Sequence, residues 1–251
     1  MTGYEPRFYR DSMGGERWKS FRTSHLETDL WIAVDAAGFK PEMECYALER
    51  AKHYRSLLDN HIRLNPSFLT SLTPLTLPSH VSDNIISDMY RATQRSGTGP
   101  MSAVAGAVAE HVCKDMCRQF SIKEIIIENG GDIFMKVESP ATISVYAGDS
   151  PLSEKIGVEI TPEISPLSIC CSSGTIGHSF SFGTADACMI ACRSGAQADA
   201  YATAFCNEVK TIDDITRVTE AALQMEDILS VVIIKNDKVG VGGIFEVKLL
   251  K

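Results

Sequence analysis

No stretch of the 251-residue chain is apolar for long. The strongest runs, Ile125-Ile126-Ile127 and Val231-Val232-Ile233-Ile234, fall far short of the roughly 20 residues that cross a bilayer. The opening segment, Met1-Thr2-Gly3-Tyr4-Glu5-Pro6-Arg7, mixes polar and charged residues with no apolar run behind it. No secretory signal is visible, so the expected compartment is the cytoplasm, with reduced thiols. Positive charge is in deficit: 24 lysines and arginines face 32 acids, for a formal net charge of −8. That balance argues against broad binding to nucleic acid or to an anionic membrane. There is no Cys-x-x-Cys and no histidine at zinc-finger spacing, which leaves a structural zinc site without support. Walker A and Gly-x-Gly-x-x-Gly patterns are missing, and no low-complexity segment or linker is present.

What remains is ordinary in bulk: 44% hydrophobic, 22% charged and 8% aromatic residues, the profile of a soluble globular protein. A chain of this length fits one large domain or two modest ones, and it buries a sizeable core without disulfides. Its eight cysteines are too few for a disulfide scaffold. Cys113 and Cys117 share a helical face with Val108, Val112, Met116 and Phe120 and read as small core hydrophobes. Cys188 and Cys192 share a face of a strand-like segment. Cys170 and Cys171 open a serine/glycine loop, where one reactive thiol stands as an alternative to a core role.

Periodicity gives the elements. Residues 21–35 read as one strand, with Leu26, Thr28, Leu30, Ile32 and Val34 on one face. Residues 42–64 read as a long helix, and the three prolines between Pro66 and Pro78 mark an irregular stretch. Ser82 is the expected N-cap of a helix carrying Ile85, Ile86, Met89 and Tyr90. Pro100 suits the first position of a helix whose buried stripe is 101, 104, 105, 108, 112, 116 and 120. Strands follow at 124–128, 133–137, 142–147, 156–160, 167–171 and 186–192, then helices at 196–208 and 213–225. A hairpin of Val231–Ile234 with Val239–Leu250 closes the chain, with Gly242-Gly243 at a bulge. Neighbouring strands are often adjacent in sequence, which favours α+β with a largely antiparallel sheet.

Three small-residue clusters and one side-chain pair carry the chemistry. Gly97-Thr98-Gly99-Pro100 feeds a helix start that presents free N–H groups to an anion, or is simply a turn. Asn129-Gly130-Gly131-Asp132 is a hairpin turn whose glycines would also let a ligand approach while Asp132 accepts hydrogen bonds. Ser172-Ser173-Gly174-Thr175-Ile176-Gly177-His178-Ser179 offers many donors to anionic oxygens, and His178 is the candidate for acid–base work. Asp199 and Thr203 lie four apart on a helix and so share a face. Carboxylate and hydroxyl are hard oxygen donors suited to magnesium, and an exposed or hydrogen-bonded pair is the plain alternative.

In this order, Gly99-Pro100-Met101 with Ala105-Gly106-Ala107, Asn129-Gly130-Gly131-Asp132, Ser172-Ser173-Gly174 and Ala198-Asp199-Ala200 with Thr203 resemble the motifs of the ApbE-like superfamily. Its founding members are magnesium-dependent flavin transferases. The likeness is closer to a prokaryotic branch of ApbE-related proteins, through Glu27-Thr28-Asp29-Leu30, Gly-Pro-Met at Gly99, Glu128-Asn-Gly-Gly-Asp and Ser172-Ser-Gly-Thr-x-Gly-His-Ser. It covers about residues 7–248. The resemblance implies an α+β fold of two intertwined, T-fold-related halves acting as a single domain over residues 1–251. It implies magnesium on Asp199 and Thr203 with a backbone carbonyl near Ala103. It further implies a flavin-nucleotide site, with FAD as ligand or substrate, drawn from Gly99, Met101, Gly130, Gly131, Asp132, Ser173, Gly174 and Thr175. In the transferases an acceptor-protein threonine attacks FAD, FMN becomes attached and AMP leaves.

Two departures bear on function. The transferases carry Lys-Gly where this chain has Ala105-Gly106, and their His-x-x-Asp-Pro-x-Thr-Gly stretch is reduced here to Gly177-His178-Ser179-Phe180-Ser181-Phe182-Gly183. Three readings stand: an enzyme acting on a flavin nucleotide by FMN transfer or pyrophosphate cleavage, a non-catalytic binder of flavin or another small anion, and an interaction protein that keeps only the fold. A homodimer is the expectation from fold analogy.

Overall fold

The structure, a computed structural model, describes residues 16–175 and 182–250. Its centre is an eight-stranded sheet in the order β1-β2-β3-β4-β7-β8-β9-β10, in which every neighbouring pair is antiparallel. The strands are β1 (Trp18–His25), β2 (Thr28–Asp35), β3 (Ile125–Asn129), β4 (Asp132–Lys136), β7 (Leu167–Ser172), β8 (Ala187–Cys192), β9 (Ile228–Lys235) and β10 (Lys238–Gly243). Helices α1 (Glu42–Leu64), α2 (Ser67–Thr70), α3 (Asn84–Ser96) and α4 (Val104–Gln119) lie between β2 and β3 in sequence. Helices α5 (Gly195–Glu208) and α6 (Asp214–Leu223) lie between β8 and β9. The sheet therefore consists of two four-stranded halves of the same plan, two strands, then helices, then two strands, joined where β4 pairs with β7.

Alternation along the strands sorts the side chains into layers. Leu30, Ile32 and Val34 of β2 join α1, α3 and α4 in one core, and Cys188, Ile190 and Cys192 of β8 join α5 and α6 in a second. The opposite face, with Trp31, Ala33, Met135, Ile169 and Met189, forms a third core. It is covered by a three-stranded sheet ordered β11-β6-β5, from β5 (Ala141–Ser144), β6 (Ile156–Ile160) and β11 (Glu246–Leu249). The result is α+β, with helices on one side of the main sheet and a small sheet on the other.

The long helix at 42–64 is found as read. Its buried residues Met43, Ala47, Ala51, Tyr54, Leu58 and His61 recur every three or four positions, with acids in the first turn and bases in the last. Other boundaries differ for local reasons. The segment 21–35 is not one strand but part of a hairpin turning at Leu26-Glu27, where Leu26 takes φ 54°. The first arm buries only Phe21 and Thr23 and the second is buried on both faces from Leu30 to Val34, so no single alternation spans the turn. Pro100–Ala103 is a 3-10 turn ahead of α4 rather than the α-helix's own first turn. Asp83, not Ser82, occupies the N-cap position of α3. The closing hairpin breaks at Gly243, φ 107°, and Glu246–Leu249 passes to the small sheet as β11.

Glu124 ties the lower edge of the first half. Its buried carboxylate accepts from Arg17 Nε at 2.8 Å, from Arg17 Nη2, and from the amides of Glu138 at 2.7 Å and Ser139 at 3.0 Å. The Arg17 hydrogen bond, more than the two amides, holds it below the usual carboxylate range. Glu124→Ala is expected to cost about 2–4 kcal/mol in urea denaturation, because it leaves two amides without an acceptor and removes the carboxylate partner of Arg17. A loss under about 0.5 kcal/mol would show that the network carries no stability.

Candidate functional site

The site is assembled where the two halves meet on the helix face. Helices α4 and α5 cross with their first turns in backbone contact at Gly106 and Gly195. A Cβ on Gly106 would stand 2.8 Å from the Gly195 carbonyl carbon and 2.9 Å from Asp199 Cβ. A Cβ on Gly195 would stand 2.8 Å from the Gly106 carbonyl carbon and 3.0 Å from Glu110 Cβ. Four residues beyond each glycine is a buried acid, and each acid serves the other helix. Gly106 N donates to Asp199 Oδ2 at 2.9 Å, and Gly195 N donates to Glu110 Oε2 at 2.7 Å. Free amides at a helix start carry partial positive charge, so both carboxylates are well placed.

Asp132 lies beneath this crossing, at the start of β4. The turn before it uses the two residues Gly130 and Gly131 at φ 70° and 101°, the left-handed geometry that a tight hairpin needs and glycine supplies. Glu128 Oε1 accepts from Gly131 N at 2.7 Å and fixes the turn, while Asn129 Nδ2 donates to the Ala105 carbonyl at 3.1 Å and ties it to α4. Asp132 Oδ1 accepts from Cys171 N at 3.2 Å. Burial, and then the charge of Asp199, raise the Asp132 carboxyl well above its usual range. Burial also pushes Asp199 up to about 7, against the lowering effect of the Gly106 and Ala105 amides. Two buried acids thus stand within electrostatic reach of one another, and among the described residues neither has a cationic partner.

The other sequence-derived residues fall around this pair to differing degrees. Thr203 Oγ1 lies 3.2 Å from Ser172 Oγ, which links α5 to the end of β7. Ala103 is fully buried at the end of the 3-10 turn, immediately before α4. The Gly99 carbonyl accepts from Ser102 N at 3.1 Å and Ser102 Oγ at 2.9 Å, so this cluster is largely satisfied within itself. Met101 is half-buried against the first core. Gly174 N donates to the Ala185 carbonyl at 2.8 Å. Ser173 Oγ accepts from Thr175 N at 3.1 Å, and Thr175 Oγ1 donates to Asp186 at 3.2 Å. His178 lies outside the described residues. Cys170 and Cys171 belong to β7 itself, not to a loop. Burial raises the Cys170 thiol and pushes Cys171 up to about 12, which favours the core role over a reactive thiol.

Glu110 was not singled out as a functional residue by sequence reasoning. Its signal is present nonetheless: Gly106-x-x-x-Glu110 and Gly195-x-x-x-Asp199 repeat one glycine-to-acid spacing at the starts of two helices. A cleft of about 350 Å³ between α1, α3 and α4 shares no residue with the Asp132–Asp199 cluster. Within its lining His111 pairs with Asp88 at 3.0 Å, while Arg118 pairs with Asp115 at 3.1 Å and Lys114 with Glu110, both outside it.

Hard oxygens dominate the central cluster, which fits a divalent cation better than a soft metal. Among the described residues no three His, Cys, Asp or Glu side chains stand close enough to hold a metal, so neutral oxygens must complete any such site. No helix among the described residues is long and apolar enough to cross a membrane.

Comparison with known proteins agrees with this architecture. The apo flavinyl transferase ApbE of Pseudomonas stutzeri superposes with a TM-score of 0.56 at 12% identity, covering 90% of this chain and 93% of that one. The ApbE protein of Thermotoga maritima gives 0.56 at 12% identity, covering 89% and 96%. At that identity the likeness speaks for fold alone. Sequence relatives include the UPF0280 protein of Methanocaldococcus jannaschii, 35% identical over 231 residues, or 90% of this chain and 91% of the relative. That of Methanospirillum hungatei is 42% identical over 190 residues, 76% of each chain. The family model described as "AbpE bacteria" matches residues 10–237, and on these grounds the chain belongs to that family, in the UPF0280 branch of the ApbE-like superfamily.

Proposed function

We propose that this protein is a magnesium-dependent enzyme acting on a flavin nucleotide, either moving FMN from FAD to a protein threonine or cleaving the FAD pyrophosphate. The observation that carries the reading is the buried acid pair Asp132–Asp199, which has no cationic partner among the described residues. Two carboxylates of like charge in a dry site favour a cation between themselves and an anionic substrate.

In this reading Asp199 and Thr203 hold the ion, joined by the carbonyl near Ala103. When bound, magnesium supplies charge stabilisation to a phosphoanhydride. The chain's own residues orient and shield. The α4 amides at Ala105 and Gly106 fix the Asp199 carboxylate, and Ser172 orients the Thr203 hydroxyl. Asp132, held by the Cys171 amide, would accept hydrogen bonds from the nucleotide, with the side-chain-free Gly130-Gly131 turn beside it. His178 is the candidate for moving the acceptor's proton.

The test is incubation with FAD and magnesium, with and without candidate acceptor proteins, following AMP release and bound flavin by chromatography. Metal-dependent AMP release should fall at least about 100-fold in Asp199→Ala, the loss of a group that stabilises developing charge. Ala105 replaces the transferases' lysine before Gly106, which favours a second reading, a binder that keeps the pocket without the chemistry. Flavin that binds but stays intact would select the binder, and no flavin binding would overturn both.

A further inference from the structure

We infer that Glu110 is the positioning residue of this site: its carboxylate clamps the first turn of α5 and so sets where Asp199 and Thr203 stand. For its effect on metal, the inference rests on the cation site proposed above. The clamp itself rests on geometry. Ser194, at the N-cap of α5, makes no side-chain cap to its own helix. Its hydroxyl instead donates to Glu110 Oε2 at 3.2 Å, the same oxygen that takes Gly195 N at 2.7 Å. Glu110, only 4% exposed, therefore does from α4 what a local cap does in other helices. The glycine crossing leaves no slack between the two backbones, so movement of the α5 start is movement of Asp199, one turn on, and of Thr203, one turn further.

The two halves differ in what stands four residues beyond the acid. Glu110 is followed by Lys114, whose ammonium is in ion-pair contact with it. Asp199 is followed by Thr203, a hydroxyl. The first half thus carries its neutralising cation within the chain and acts as a clamp, whereas the second offers oxygens.

Mn²⁺ is the probe, read by the electron paramagnetic resonance of the free ion, beside amide hydrogen exchange at Gly106 and Gly195. Glu110→Ala should weaken Mn²⁺ binding and speed Gly106 exchange each by about tenfold or more, because the reciprocal cap loosens with its partner. Glu110→Gln keeps an oxygen for the Gly195 amide and should restore both to within about threefold of wild type. Should Glu110→Ala not fold, Glu110→Asp, one methylene shorter in reach, carries both readouts with the same expected direction. Gly106 exchange unchanged in the truncated variant would overturn the clamp, as would unchanged Mn²⁺ affinity. Wild-type protein that binds no Mn²⁺ would overturn the metal reading alone, and exchange at Gly106 would then decide the clamp by itself.

Discussion

Gly106→Ala is expected to destabilise the fold by about 4 kcal/mol or more. The added methyl would meet the Gly195 carbonyl group, with the carbonyl carbon at 2.8 Å and Asp199 Cβ at 2.9 Å. The first obstacle is backbone, which has no rotamer to turn away. Relief requires α4 and α5 to separate, and separation breaks both reciprocal caps and loosens the core beneath them. Overpacking commonly costs about 1–3 kcal/mol, and two buried acids losing amide partners add a comparable amount, so about 4 kcal/mol or more is expected from a total of about 5–15. Gly195→Ala should behave alike, and the double variant should fall short of the sum because both open the same contact. Urea denaturation measures the effect. A cost below about 1 kcal/mol would mean that the two backbones are not in contact.

The metal-free protein should lose stability as pH rises from about 4 to about 7. Burial pushes Asp199 up to about 7, and burial with the Asp199 charge raises Asp132 as well. In the unfolded chain an aspartate titrates near 3.9. A group raised on folding contributes stability that is complete below the unfolded value and is lost as pH rises through the folded one. The window therefore runs from about 4 to about 7, with a loss on the order of 2–4 kcal/mol. Melting in chelator should be lower at pH 8 than at pH 5.5, and Asp199→Asn should flatten the slope, because a neutral amide has no charge to bury. Magnesium should recover stability at pH 8, by about 2.7 kcal/mol at a hundredfold excess over its dissociation constant. A slope that persists when Asp132→Asn is added to Asp199→Asn would place the titration elsewhere.

Much of the site was legible as a set of residue types. The Gly130-Gly131 turn, the acid after it and the Asp199/Thr203 spacing are local patterns, and each occupies the element the sequence predicts for it. Their convergence was not legible. Gly106 and Asp199 are 93 residues apart, and Gly195 and Glu110 are 85 apart. Cys170 and Cys171 lie in the strand expected at 167–171, which runs one residue further, to Ser172, between β4 and β8.

The sequence by itself determined the α+β class, the long helix at 42–64 and most strand positions. Periods of 2 and 3.6 residues and the special geometry of glycine act within a few residues and are written in any short window. Only the tertiary structure decided that residues 18–35 fold back at Leu26, that β11 leaves its hairpin for the small sheet, and that Asp132 and Asp199 are buried within electrostatic reach of one another. Those outcomes depend on strand register and on the close crossing of two helices, both set by packing between distant segments. Burial among them, more than residue type, turns two ordinary aspartates into a pair that resists its own charge.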